Sequence, residues 1–143
     1  NGFPFSGVLI SPIFAARKGM LGTTFGGNHL GCAAALAVLK IIREEKLIEN
    51  ALHTGTYLMQ RLQELHSPLI KEIRGRGLMV GVELTVPVKE VREPLLFEER
   101  IFTGYSGLYT LRILPPLILS TKEVDIFVGS LKKVLDEYYE NSR

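Results

Sequence analysis

Two short segments of the chain carry residue types that could handle small charged molecules. The first is Thr23-Thr24-Phe25-Gly26-Gly27-Asn28, directly ahead of a long apolar run. Hydroxyls and small residues at a helix N-terminus suit an anion, because free backbone N–H groups point outward there and the helix dipole favours negative charge. The same composition also serves as a plain structural cap, and the residues alone leave both readings open. No Lys follows the second glycine, so the segment is not a P-loop. The glycine spacing is also wrong for a dinucleotide-binding turn. The second segment is Thr110-Leu111-Arg112-Ile113-Leu114-Pro115-Pro116. An arginine between apolar residues on a strand either turns its head to solvent or lies in a cleft. In a cleft it needs an anionic partner, and a guanidinium is shaped to hold a carboxylate with two parallel hydrogen bonds.

The other polar residues offer less chemistry. His29, His53 and His66 are scattered, with no metal-ligand spacing and no Ser/His/Asp arrangement. Cys32 is the single cysteine and sits in an apolar segment, so it reads as packing. It excludes an intramolecular disulfide and a cysteine-based zinc site. Glu44-Glu45 and Glu98-Glu99 read as solvated faces, and Glu83 is expected to face solvent. Arg74 and Arg76 bracket a glycine and are expected to fix a loop. An anion loop and a carboxylate clamp are therefore present without an acid, a base or a nucleophile.

The elements that must position these residues follow from pattern. The chain has 143 residues, 46% apolar and 22% charged, enough for one ordinary core. Lys+Arg exceeds Asp+Glu by 17 − 15 = 2, and no basic cluster stands out. Neither nucleic acid nor an acidic membrane face is expected as a partner. No apolar run is long enough to span a membrane. Val8-Leu9-Ile10 reads as a strand, and Pro12 as the start of a short helical piece. Asn28 is a candidate N-cap for a helix whose residues from Leu30 to Ile42 are apolar or small on nearly every face. Such a helix is expected to be buried all round, with its charged end at Arg43-Glu44-Glu45-Lys46 in water. A second, amphipathic helix spans 47–65, with Ala51, Gly55, Leu58, Leu62 and Leu65 on its inner face. Strands are expected at Ile70–Ile73, Leu78–Leu84 and Tyr109–Leu114, and a helix at 89–102 that Pro94 must kink or delay. Ser120 and Glu123 form a capping-box pattern ahead of a helix with a stripe at Val124, Phe127, Val128, Leu131, Val134 or Leu135, and Tyr138. Separate helices and strands without βαβ alternation indicate an α+β fold.

Taken together, Asn1-Gly2-Phe3-Pro4, the Thr23–Asn28 loop, the Ala-rich helix after it, Arg74-Gly75-Arg76-Gly77-Leu78 and Leu111–Pro116 resemble the class III pyridoxal-phosphate-dependent aminotransferases. The resemblance covers essentially the whole chain, and the motifs stand in the family's order. Within the family it is nearest to the acetylornithine aminotransferase branch, with succinylornithine and ornithine enzymes as alternatives. It implies that residues 1–28 are a remnant of the large cofactor-binding α/β domain of a fold-type-I enzyme. It further implies that 29–46 form an interdomain helix and that 47–143 form the C-terminal small α+β domain. By the same resemblance, Thr24 reaches the phosphate of pyridoxal 5'-phosphate held by the partner subunit, with Thr23 as a weaker neighbour, and Arg112 binds the substrate α-carboxylate. The partners implied are an amino-acid donor, 2-oxoglutarate and a second subunit of a cytoplasmic homodimer, with transfer of a δ-amino group in arginine biosynthesis. The family's cofactor-bearing lysine lies a few residues before its N-G-F-P segment. Here that is ahead of Asn1, so the chain is expected to hold no catalytic residue and to be inactive alone; Lys18 belongs to a different segment. Two departures stand out: Phe5-Ser6-Gly7 replaces the family's Ile-Gly-Ala, and His29 stands where a proline is usual. From the residues alone, two other classes stay open. One is a non-catalytic structural or dimerisation domain, and the other is a phosphate-binding enzyme such as a nucleotide kinase.

Overall fold

The computed structural model describes residues 3–15, 17–20 and 22–142. The chain divides into two compact units, Asn1–Lys46 and Leu47–Arg143.

Among the described residues of the first unit, the regular secondary structure is helix α1, His29–Glu44. Asn28 caps it as expected, its Oδ1 accepting from the Gly31 N–H at 2.7 Å. The Val8-Leu9-Ile10 run forms no strand. Its side chains are exposed, and a lone strand without a paired neighbour is not stable in water. Near Pro12 there is a single turn, closed by the Phe14 N–H to the Ser11 carbonyl. The expectation of all-round burial for α1 also fails. Leu30 is 70% exposed, Leu36 68% and Leu39 59%, and only Gly31 is buried. The first unit leaves these apolar side chains uncovered.

The second unit is an α+β sandwich of two layers. Its helices are α2 (Leu47–Gln63), α3 (Val88–Phe97) and α4 (Thr121–Asn141). Its strands are β1 (Ile70–Arg76), β2 (Met79–Leu84), β3 (Gly104–Ser106) and β4 (Thr110–Ile113). They form an antiparallel sheet in the order β1-β2-β4-β3. Period-2 alternation puts Val80, Val82 and Leu84 of β2 and Leu111 and Ile113 of β4 on one face. There they pack in one core with Leu58 and Leu62 of α2, Val91 and Leu95 of α3, and Val124, Val128, Leu131, Val134 and Leu135 of α4. Burial of these side chains is the main stabilising term of the unit. The 3.6-residue stripe expected for α4 is thus met, with Val134 and Leu135 both inside. The Ser120 capping box is also present, the Ser120 N–H donating to Glu123 Oε2 at 2.7 Å.

Two elements differ from expectation. Helix α3 ends at Phe97 rather than 102, because Arg100 takes a left-handed φ of 58°, which a right-handed helix cannot pass through. The shorter helix frees the segment that becomes β3, an edge strand the pattern did not announce. Arg92 of α3 pins the start of that strand. Its Nε donates to the Thr103 carbonyl at 2.8 Å, and its guanidinium lies over Phe102 and Tyr105 at 5.6 and 5.2 Å, within cation–π range.

Candidate functional site

Arg112 sits near the centre of the sheet, on the face that the helices leave open. Its neighbours across the two flanking strands are both glycines: Gly81 on β2 and Gly104 on β3. The guanidinium leans toward β3. A β-carbon placed on Gly104 would lie 2.9 Å from Arg112 Nε, 3.2 Å from Nη2 and 3.4 Å from Cζ. The segment between β4 and α4 is held by α2, where Asn50 Nδ2 donates to the Leu117 and Leu119 carbonyls at 2.7 and 3.1 Å. A cleft of about 370 Å³ opens beside the strand, its lining including Thr103, Gly104, Arg112, Ile113, Pro115 and Phe127. The Thr103 hydroxyl is buried and without a hydrogen-bond partner there.

The open face carries other charges, and most are spent on one another, although Arg76 of β1, like Arg112, joins no ion pair among the described residues. Glu83 of β2 accepts from Lys71 Nζ at 2.7 Å and from Arg74 Nη1 at 2.8 Å, and Arg74 also reaches Glu72 at 2.9 Å. Lys71 first and Arg74 second hold the Glu83 carboxyl below the usual glutamate range. Glu83 is therefore half-buried in an ion-pair cluster, not a free solvent-facing carboxylate. Arg74 lies on β1 and does not fix a loop. Among the described residues Arg112 joins no salt bridge and donates no side-chain hydrogen bond. A guanidinium offers five donors in a rigid fork, so this one is left with its recognition chemistry unused.

The threonines belong to the first unit. Residues 24–27 form a turn, in which the Asn28 N–H bonds the Phe25 carbonyl at 3.3 Å and Asn28 Nδ2 bonds the same oxygen at 2.8 Å. The turn demands its glycines. A β-carbon on Gly26 would come within 2.4 Å of Thr23 Cγ2, and Gly27 has φ of 69°. Thr23 and Thr24 are exposed beside the N-terminus of α1, and among the described residues neither hydroxyl is engaged in a hydrogen bond. Thr24 and Arg112 thus lie in different units.

The sequence alone pointed to Arg112, Thr23 and Thr24 as candidates and did not single out Gly104 or Asn50. The Ser106-Gly107 turn signal ahead of β4 could have revealed a hairpin and, with it, Gly104. Nothing local marks Asn50, whose partners lie 67 and 69 residues away. Among the described residues no cluster of His, Cys, Asp and Glu could hold a metal ion, and no helix is long and apolar enough to cross a membrane.

Comparison with known proteins gives concordant matches. The family model described as Aminotransferase class-III matches residues 1–135. The ornithine aminotransferase of Brevibacillus brevis is 38% identical over 135 residues, which are 93% of this chain and 34% of the relative. The acetylornithine aminotransferase of Methanosarcina acetivorans is 35% identical over 133 residues, 93% of this chain and 33% of the relative. A solved structure of the ornithine aminotransferase from Toxoplasma gondii, with PLP partly occupying its active site, superposes with a TM-score of 0.80 at 31% identity. The match covers 87% of this chain and 30% of that one. The chain thus spans about a third of the length of the curated relatives it matches.

Proposed function

The chain belongs to the class-III aminotransferases, and on that premise we propose that it is the carboxylate-binding portion of an enzyme that moves the δ-amino group of an ornithine-type donor to 2-oxoglutarate. The observation that carries this reading is Arg112: a strand-borne guanidinium that lines the cleft and has no internal partner among the described residues, while Glu83, Lys71 and Arg74 on the same sheet face are paired with one another. Both substrates present an α-carboxylate, and a two-pronged hydrogen bond from one arginine would orient either of them. The acetylornithine branch is not singled out. Free ornithine as donor fits at least as well, since an ornithine and an acetylornithine enzyme match at 38% and 35% identity. A clamp on the α-carboxylate is common to both donors. A place in arginine biosynthesis and in the cytoplasm belongs to the acetylornithine reading.

The cofactor that this family implies is pyridoxal 5'-phosphate. When bound it supplies the electron sink, while the protein supplies orientation and charge. Thr24, with Thr23 beside it, would hold the phosphate of a neighbouring subunit's cofactor. Their exposed and unengaged hydroxyls at the start of α1 suit that anion. The proposal entails a homodimer. It also gives the 143-residue chain no Schiff-base lysine of its own.

The test has two arms. In the full-length enzyme carrying these residues, transamination is assayed with ornithine and with N-acetylornithine as donors, and cofactor retention is compared between wild type and Thr24→Ala. Activity with either donor, and cofactor loss restored by Thr24→Ser, are expected. Absence of amino transfer to 2-oxoglutarate would refute the reading. In the second arm the 143-residue chain is mixed with the cofactor, and no aldimine absorbance accompanied by turnover is expected.

A further inference from the structure

We propose that Gly104 is a positioning residue for Arg112: the bare backbone of β3 forms the seat on which the guanidinium rests, and that seat sets the direction in which the carboxylate is received. The inference rests on the reading of Arg112 as the carboxylate anchor.

Gly104 opens the edge strand β3, and a glycine within or beside a strand has a reason, either a special backbone conformation or a close approach. A left-handed backbone is one such reason, and it accounts for Gly77 and Gly107 with φ of 54° and 62°. It does not account for Gly104, which lies outside that region. A close approach is the other reason, and at Gly104 the nearest approaching group is Arg112: its Nε, Nη2 and Cζ are the three atoms a β-carbon would meet first. Gly81, on the opposite flank of Arg112, behaves differently. A β-carbon there would meet Thr110 Cγ2 at 3.3 Å, with Arg112 absent from the atoms within 4 Å that come nearest. The arginine is thus seated from one side.

The seat matters because no hydrogen bond or ion pair among the described residues fixes the side chain. An arginine carries about 2 kcal/mol of rotamer entropy, and Arg112 has no ion pair to offset it. A two-pronged grip on a carboxylate works only if the plane of the fork is set in advance. Packing against Gly104 supplies that plane. Arg92 braces the seat, through its hydrogen bond to the Thr103 carbonyl and its stacking on Tyr105.

The experiment uses the full-length enzyme and four variants: Gly104→Ala, Arg112→Ala, their double mutant, and Gly81→Ala as a control. Gly104→Ala should raise KM for the amino donor and for 2-oxoglutarate by about tenfold, the worth of one charge-assisted hydrogen bond. It should leave kcat and the melting temperature near wild type, because the clash falls on the end of a flexible side chain. Gly81→Ala should leave both KM values unchanged. In the Arg112→Ala background, Gly104→Ala should add nothing, the signature of two residues acting as one. If Gly104→Ala leaves KM unchanged while Arg112→Ala raises it, the inference is overturned and the clamp reading stands. If Arg112→Ala itself changes neither KM, the clamp reading fails first. A Gly104→Ala defect in KM or melting that persists in the double mutant would also overturn the inference, because the clash would then lie in the backbone.

Discussion

Arg112 faces Gly81 across the β2–β4 ladder, so the cross-strand position opposite the guanidinium carries no side chain. Opposed residues in an antiparallel pair place their β-carbons roughly 4.5–5.5 Å apart, well within the reach of an arginine. Gly81→Asp should therefore supply an internal carboxylate that competes with substrate for Arg112. KM for both substrates should rise by about tenfold or more, and the rise should shrink as salt is added. Steady-state kinetics at two ionic strengths check it, and an effect equal to that of Gly81→Ala would show that the introduced charge does not reach the arginine.

The close contact between α2 and the β1–β2 turn gives a stability prediction. A β-carbon on Gly55 would lie 2.3 Å from the Gly77 carbonyl carbon and oxygen. The obstacle is backbone, so Gly55→Ala has to push the helix off the sheet. The cost should be about 1–3 kcal/mol or more, read as a lowered denaturation midpoint. An unchanged midpoint would mean that the helix and the turn are not in contact.

Acid should loosen the junction between α3 and α4. Lys133 first and Ser130 second hold the Glu99 carboxyl below the usual glutamate range, through bonds of 2.6 and 2.7 Å. A carboxyl with a lowered folded-state pKa adds stability that is fully present above its unfolded value and is lost as pH falls through the folded one. The loss therefore begins below pH about 4.3, the ordinary glutamate value. Glu99→Gln should flatten that limb of the stability curve and leave its slope at neutral pH alone. Urea melts from pH 7 down to pH 3 test this, and an acid limb identical to wild type would remove Glu99 from the account.

What could be read from the sequence was what local pattern determines. The stripe of α4, its Ser120 cap, the Asn28 cap and the alternation of β2 each depend on residues within a few positions of one another, and each formed. Arg112 was legible because a charge between apolar strand residues is conspicuous on its own. What escaped depends on distant partners. Strand β3 is three residues long, without an apolar pattern, and exists because β4 pairs with it. Gly104 gains its meaning from Arg112 eight positions later, and Asn50 from carbonyls in the β4–α4 connection, 67 and 69 residues away. The apolar faces of α1 were misjudged for the same reason. Composition says that a surface wants cover, but not whether the chain at hand supplies it.

The central claim is that Arg112 anchors the carboxylate shared by both substrates. The most direct measurement is the pair of KM values in Arg112→Ala and Arg112→Lys variants of the full-length enzyme. The account predicts that KM for the amino donor and KM for 2-oxoglutarate rise together. Each should rise by about tenfold or more in Arg112→Ala, as expected for loss of a charge-assisted pair, and the single-pointed Lys should restore only part. KM values that stay at wild type for both substrates would contradict it.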